Sequence, residues 1–493
     1  MTTDAGTGGL EADSDIAEGN RLGWRNWVLI LTVAAAACFF RLGDARSLTE
    51  HEIQAAGGAK QMALDHDWLL PKIGDHLFLE KPPLLHWLMI VSAKMLGGFS
   101  EASMRLPSVL AGLGVIVVMA LLAERWFGAR TAIFTAILLT TTVHFITYAR
   151  LAEPDMLLAF IVVLALFVFV RLHSIGGHWP EPHRYLPVLF WVLVGLSNMT
   201  KGLGFGPLLI LAPCLTFLIL KRDRVAWRRM ISWSGWTLGL VIAVAWPVIV
   251  AVHVPEAREL WREEITRRAV GDVGYQQPWW YYLTTAPWQL LPWTPVFLVA
   301  AGPSLVRAKR TPDSPDRFIW CWVLVPIVLL SFFRGKHHHY IISCLCAVSP
   351  LCAIGLLRFG IRFATAFVAV TFVAILFIHA LVLPRFDRSH DDCEFLRKVR
   401  NFVPPETLLA ATGGREVARD IFYVDPPPLG IWDPATLEQR FSGRPFYLIS
   451  RRNEESRLTK LGQVEVVSQS KHTRAEREPT ERLTLFRIEP RPL

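Results

Sequence analysis

Apolar runs near the ~20-residue length needed to cross a bilayer recur along the chain as far as residue 384. Eleven stand out, at roughly 26–42, 104–124, 129–146, 155–171, 185–199, 203–220, 231–252, 287–306, 317–333, 339–357 and 361–383, and they predict eleven transmembrane helices. The segment 84–97 is apolar but too short to span. Together with "HEIQAAGGAKQMALDHDW" upstream of it, it predicts short helices with one apolar face, suited to the membrane interface. From about residue 385 the pattern changes. "RPFYLIS", "QVEVVSQS" and "RLTLFRI" alternate polar and apolar positions and predict strands, with "DCEFLRKVRNF" and "EESRLTKLG" as helices between them. The chain thus divides into a tail (1–25), a membrane domain (26–384) and a small soluble α/β domain (385–493). No repeat of fixed period is visible.

Composition agrees with this division. The 493 residues are 52% hydrophobic and only 19% charged, with mean hydropathy +0.35, against about 25% charge in soluble chains. A net charge of +9 would suggest nucleic acid in a soluble protein. Here positive cytoplasmic loops account for it, and no nucleic-acid partner is expected. The cysteines form neither a CxxC pair nor a disulfide framework. The first 20 residues are polar and acidic, and no small-residue cleavage site follows the first apolar run. That run reads as a signal anchor.

Charge also sets orientation. With the N-terminus in the cytoplasm, the inside loops carry seventeen Lys and Arg. The short outside loops carry four: Arg150, Lys201, Arg334 and Lys336. An odd number of spans then places the C-terminal domain outside, with two long loops at about 43–103 and 253–286. The second holds "PWWYYLTTAPWQLLPW", which suits an aromatic belt at the headgroup level and is equally compatible with a substrate role.

On this topology Glu50, Glu52, Glu80, Lys81, Arg150, Glu153, Asp155, Lys201 and the run Lys336-His337-His338-His339 all fall on the outer face. One charged residue at a span end is usually solvated. Acids and bases meeting from four loops are better explained by function. A transporter more often keeps its ionisable groups near the midplane. Carboxylates at such a face can act as general bases or hold a metal, and lysines and arginines can hold a departing phosphate. Pro82 and Pro83 restrict the backbone beside Lys81 and fix its approach. The set describes group transfer from a phosphate-activated lipid. Three consecutive histidines do not point the same way, which argues against a metal there.

Over residues 26–360 the chain resembles the bacterial polyprenyl-phosphate-sugar glycosyltransferases of the GT-C class, the aminoarabinose transferases and their protein O-mannosyltransferase relatives. The motifs that carry the likeness are "DWLLPKIGDHLFLEKPPLLHW", "GGFSEASMRLPSVLAGL", "ARLAEPDMLLAF", "LSNMTKG", "WWYYL...LPW" and "GKHHHYIIS". The resemblance implies a GT-C-like polytopic α-helical fold and a place in the bacterial inner membrane, with active site and C-terminal domain in the periplasm. It further implies inverting transfer of a hexose or pentose from a polyprenyl-phosphate donor. The acceptor would be a hydroxyl or phosphate of lipid A, another glycan or lipid, or a protein, and the enzyme a monomer.

The family's acidic pair in the first outer loop, one carboxylate of which is the proposed base, meets Glu50-His51-Glu52 here. Counting back from Met62 without a gap sets His51 and Glu52 on the pair, and a one-residue slip sets Glu50 there, so both glutamates are candidate bases. Asp155 matches the second acidic residue. Lys81 and Lys201, with Arg150, are implied at the donor phosphate, and Lys336 and Tyr340 belong to the late motif. Glu80 matches a metal-ligating position, which makes a divalent metal a candidate cofactor. The histidine that would join it is replaced by Glu263-Glu264 in "WREEITRR". Two other readings share parts of this pattern: a ligase or polymerase of lipid-linked oligosaccharide, and a lipid or small-molecule transporter.

Overall fold

A computed structural model describes residues 21–177, 179–202, 204–270, 276–387, 389–433, 436–441, 444–471 and 481–490. Most of the tail assigned to residues 1–25 lies outside them. The helices of the membrane region are α1 (Trp24–Phe39), α2 (Glu50–Leu64), α3 (Leu84–Met95), α4 (Glu101–Phe127), α5 (Ala129–Thr141), α6 (Val143–Ala149), α7 (Pro154–His173), α8 (Leu186–Lys201) and α9 (Phe205–Lys221). They continue as α10 (Trp233–His253), α11 (Ala257–Val270), α12 (Tyr281–Gln289), α13 (Thr294–Arg310), α14 (Pro315–Ser331), α15 (Ile342–Leu357) and α16 (Ile361–Phe377). All eleven apolar segments fall on helices. Among the described residues, five helices are long and apolar enough to cross a membrane, or up to seven if each bent pair is one span.

Two of the segments read as single spans are broken. α5 and α6 meet at 70°, and α12 and α13 at 116°. At the first break the hydroxyls of Thr140, Thr141 and Thr142 bond back to the carbonyls of Ile137 and Leu138. The Val143 N–H leaves its own helix for the Leu291 carbonyl at 3.0 Å, so one break is hydrogen-bonded to the other. At the second, Pro292 and Pro295 lack the N–H that a continuing helix needs.

The bundle is layered by exposure. α7 is buried along its length, with Phe169 stacked on Phe318 at a 5.5 Å centroid distance. By contrast α10 and α16 turn Leu240, Val241, Val252, Phe363, Val370 and Val373 outward. An apolar surface this continuous is a liability in water and the normal state in lipid.

The C-terminal region holds α17 (His390–Lys398), α18 (Val417–Tyr423) and a five-stranded sheet of β3 (Leu409–Thr412), β4 (Leu429–Ile431), β5 (Phe446–Arg451), β6 (Gly462–Gln469) and β7 (Leu483–Pro490), in the order β4-β3-β5-β7-β6. β3 pairs in parallel with β4 and β5, whereas β5–β7 and β6–β7 are antiparallel. The segments that alternate in the sequence are β5, β6 and β7.

This region is clamped onto the long loop at about 43–103. A small hairpin of β1 (Lys72–Ile73) and β2 (His76–Leu77) stacks His76 on Trp432 at 4.2 Å. The Asp75 carboxylate accepts from the Trp432 N–H at 2.7 Å. α2 packs against α18. Its Lys60 ammonium donates to the carbonyls of Phe422 and Val424, at 3.0 and 3.1 Å. The backbones approach closely at Gly57, where an added Cβ would stand 2.6 Å from the Ala418 carbonyl oxygen. Gly57→Ala is therefore expected to loosen the C-terminal domain at a cost of about 1–3 kcal/mol, read as faster limited proteolysis after residue 385.

Candidate active site

The ionisable residues converge at one end of the bundle, beneath the C-terminal domain. Pro154 at the first turn of α7 starts the helix where its missing N–H is harmless and delivers Asp155 to this end. α8 stops at Gly202, whose φ of +69° suits glycine. A Cβ there would meet Pro82 at 3.3 Å, so the end of α8 packs on the proline that follows Lys81. Lys201 and Lys81 are thereby brought to one place. Asp155 accepts from the Lys201 ammonium at 2.6 Å and lies 3.7 Å from His339 Nε2. The Lys201 ammonium also sits 4.4 Å from the centre of the Tyr340 ring, a cation–π contact.

Lys81 differs from Lys201. It lines a narrow crevice with His51, Gln54, Pro82, Pro154 and Thr200, and among the described residues it makes no ion pair. Desolvation pulls its ammonium below the ordinary lysine value, with Asp155 offsetting this and Lys201 adding to it. A lysine enclosed beside a carboxylate it does not contact is a ready site for an anion.

The histidine run converges more than its sequence suggests. His337 is extended, so its ring stacks on that of His339 at 5.2 Å. The Tyr148 hydroxyl reaches His338 Nε2 at 3.0 Å and His339 Nδ1 at 3.2 Å. Tyr148 was not legible as a site residue. Glu153 is also part of this neighbourhood. It is buried, and burial followed by the like charge of Asp155 raises its carboxyl to about 7.

Four of the candidates are placed outside the crevice lining. Glu52 is fully buried and saturated: it holds Arg105 at 2.8 and 3.2 Å, accepts from Ala152 N–H at 2.9 Å and from Thr49 N–H at 2.9 Å. It closes the capping box of α2 with Thr49, a signal already present in Thr49-x-x-Glu52. Such a carboxylate has no free lone pair aimed at a substrate. Glu50 is exposed and does not line the crevice. Arg150 does not face the phosphate site. It donates to the carbonyls of Ala37, Cys38 and Phe40 at 2.8, 2.7 and 2.6 Å, which closes the end of α1. Arg150→Ala is expected to lower stability by about 2–3 kcal/mol with the KM for donor unchanged, as thermal unfolding and donor titration would show. Lys336 is tied to the segment ahead of α12, its ammonium donating to the Gln277 carbonyl at 2.9 Å.

Glu80 faces Arg415 of the C-terminal region at 3.2 Å. Among the described residues no three His, Cys, Asp or Glu side chains are grouped to hold a metal, so the donor set does not fit one at Glu80 or at the histidine run. On α12, Tyr282 is buried, with its hydroxyl donating to the His337 carbonyl at 3.3 Å. Trp279, Trp280 and Trp288 are exposed, as a belt would be.

Residues 80–249 match the family model described as dolichyl-phosphate-mannose-protein mannosyltransferase. The chain is 28% identical over 337 residues to the undecaprenyl phosphate-alpha-4-amino-4-deoxy-L-arabinose arabinosyl transferase of Pseudomonas paraeruginosa, a match covering 66% of this chain and 59% of that protein. The protein of the same name from Pectobacterium carotovorum is 26% identical over 313 residues, covering 61% and 54%. The chain thus spans less than two thirds of the length of these relatives. Among solved structures, ArnT from Cupriavidus metallidurans bound to undecaprenyl phosphate superimposes with a TM-score of 0.77 at 21% identity, covering 94% of this chain and 98% of that one. An oligosaccharyltransferase from Archaeoglobus fulgidus gives 0.56 at 13% identity, covering 94% and 76%. The fold is that of ArnT, a helical GT-C membrane bundle with a small strand-containing C-terminal part. The likeness read from "LEKPPLLHW" and "MRLPSVL" holds.

Proposed function

We propose that this chain, a relative of the polyprenyl-phosphate-sugar glycosyltransferases in sequence and fold, moves a single sugar from a polyprenyl-phosphate donor to an acceptor at the outer face of the bacterial inner membrane. The observation that carries this is Lys81: a crevice lysine with no ion-pair partner among the described residues, beside the Asp155–Lys201 pair. The crevice is built from α2, the turn carrying Lys81 and Pro82, the start of α3, the start of α7 and the end of α8, and this reading sets it at the depth of a lipid phosphate. The donor's lipid tail would run along the bundle, and its phosphate would meet Lys81. Asp155 holds Lys201 in place and keeps the second cation turned to the same anion.

Attack of the acceptor on the anomeric carbon in one step inverts its configuration and leaves the negative charge on the departing phosphate. Fixed cations placed where that charge develops act most strongly in a site shielded from water. The topology that puts the N-terminus inside and the C-terminal domain outside belongs to this proposal, as does the acceptor, which could be a lipid, a glycan or a protein.

The test incubates membranes containing the full chain with polyprenyl phosphates carrying differently labelled monosaccharides. The expected result is release of one label from the lipid and its appearance, with inverted configuration, on an acceptor. Movement of an intact oligosaccharide from a diphosphate donor, or vectorial uptake without bond cleavage, would overturn it.

A further inference from the structure

Five carboxylates stand near the crevice, Glu50, Glu52, Glu80, Glu153 and Asp155, and none of them lines it; Glu80 is paired with Arg415 at 3.2 Å. Glu52 is filled by Arg105, Ala152 and Thr49. Asp155 is held by Lys201 at 2.6 Å. Neither Glu50 nor Glu153 is part of the crevice lining. The residue between the two glutamates is placed differently. On α2, successive positions turn by about 100°, so Glu52 points back to its helix cap and Arg105 while His51 faces the crevice. His51 lines it together with Lys81, Pro154 and Thr200. Among the described residues no hydrogen bond occupies its ring.

We infer that His51 is the general base that takes the acceptor's proton, and that the acceptor group is accordingly a hydroxyl rather than an already ionised phosphate. This rests on the glycosyl-transfer reading above. In the step, the acceptor O–H proton passes to a ring nitrogen of His51. The oxygen's electron pair forms the bond to the anomeric carbon. The carbon–oxygen bond to the polyprenyl phosphate breaks with its pair on the phosphate, beside Lys81, and the imidazolium then returns its proton to water.

The electrostatics are consistent with a base. Desolvation of the ring first and the Lys81 charge second hold His51 below the ordinary histidine value, although the residue as a whole is exposed. The charged or titratable groups facing it are Glu50 from its own helix, Lys81, His86 of α3, which lines the same crevice, Asp155 at the start of α7, His337 ahead of α15 and Arg415 from the C-terminal region. His337 is itself held down to about 4, chiefly by burial.

The experiment compares the wild type with His51→Gln and His51→Asp, full chains in native membranes, under the labelled-donor assay across pH 5–9. His51→Gln should lose about 10²-fold or more in kcat with the donor KM little changed. His51→Asp should recover much of that loss, because a carboxylate can also accept the proton. The wild-type kcat/KM should fall on the acid side as His51 protonates, and that limb should move lower in His51→Asp and vanish in His51→Gln. Equal loss in both variants, full activity in His51→Gln, or transfer onto a phosphate oxygen would overturn the inference and leave the transferase reading intact. Absence of transfer by the wild type from any polyprenyl-phosphate sugar would instead overturn that reading, and this inference with it.

Discussion

Lys81→Ala should lower glycosyl transfer about 10³-fold, the upper end of what removing one preorganised charge-stabilising donor costs. The size of the effect follows from what surrounds the ammonium. Lys201 is already shared between Asp155 at 2.6 Å and the face of Tyr340, so its charge is largely balanced before any donor arrives. Lys81 makes no ion pair among the described residues and lines the crevice directly. It is the cation with charge to spare when a phosphate departs. Lys81→Arg keeps the charge but replaces a compact ammonium with a longer planar fork, and Pro82 and Pro83 hold the backbone so that it cannot withdraw to make room. Partial activity is the expected result for that variant. The measurement is the initial rate of label transfer at saturating donor, alongside donor affinity, since loss confined to affinity would mean that Lys81 binds the ground state and the departing phosphate equally. Unimpaired transfer by Lys81→Ala would remove the phosphate site from the mechanism.

The helices of the membrane region were legible because a bilayer demands long apolar runs, and those runs are written residue by residue. Their breaks were not, because the bend at Thr142 depends on a carbonyl at Leu291, far along the chain. Nor were β3 and β4, short parallel strands whose buried residues show no alternation. At the candidate site, charged residues stand out against an apolar background, so Lys81, Asp155 and Lys201 can be singled out as candidates from the sequence. Their partners cannot be. Arg105 and Arg150 are the same residue type at similar depth, yet one closes a helix end and the other neutralises a glutamate. In "TEHE" the acidic residues drew attention, but a helix turns neighbours apart. The capping box decided that Glu52 faces inward, and the ring between the glutamates was left facing the crevice.

That inward-facing glutamate sets up the largest stability effect in the chain. Glu52→Ala would leave the Arg105 guanidinium buried without its carboxylate, and breaking one side of a buried pair costs about 3–5 kcal/mol. Arg105 sits in "MRLPS" on α4 and also donates to the carbonyls of Leu42, Arg46 and Ser47. Glu52 therefore ties α2, α4 and the turn before α7 into one node, through Arg105 and Ala152. Burial raises the carboxyl of Glu52, but the charge and hydrogen bonds of Arg105 outweigh it and hold the group below the ordinary glutamate value. The stabilisation is accordingly complete above the unfolded value near 4.5 and is lost as pH falls through the folded one. Thermal unfolding in detergent should show Glu52→Ala strongly destabilised at neutral pH and less so, relative to the wild type, in acid. The double variant Glu52→Leu with Arg105→Met should unfold at a higher temperature than either single variant, because both charges leave together. A Glu52→Ala protein that unfolds like the wild type yet cannot transfer sugar would return this glutamate to the catalytic step.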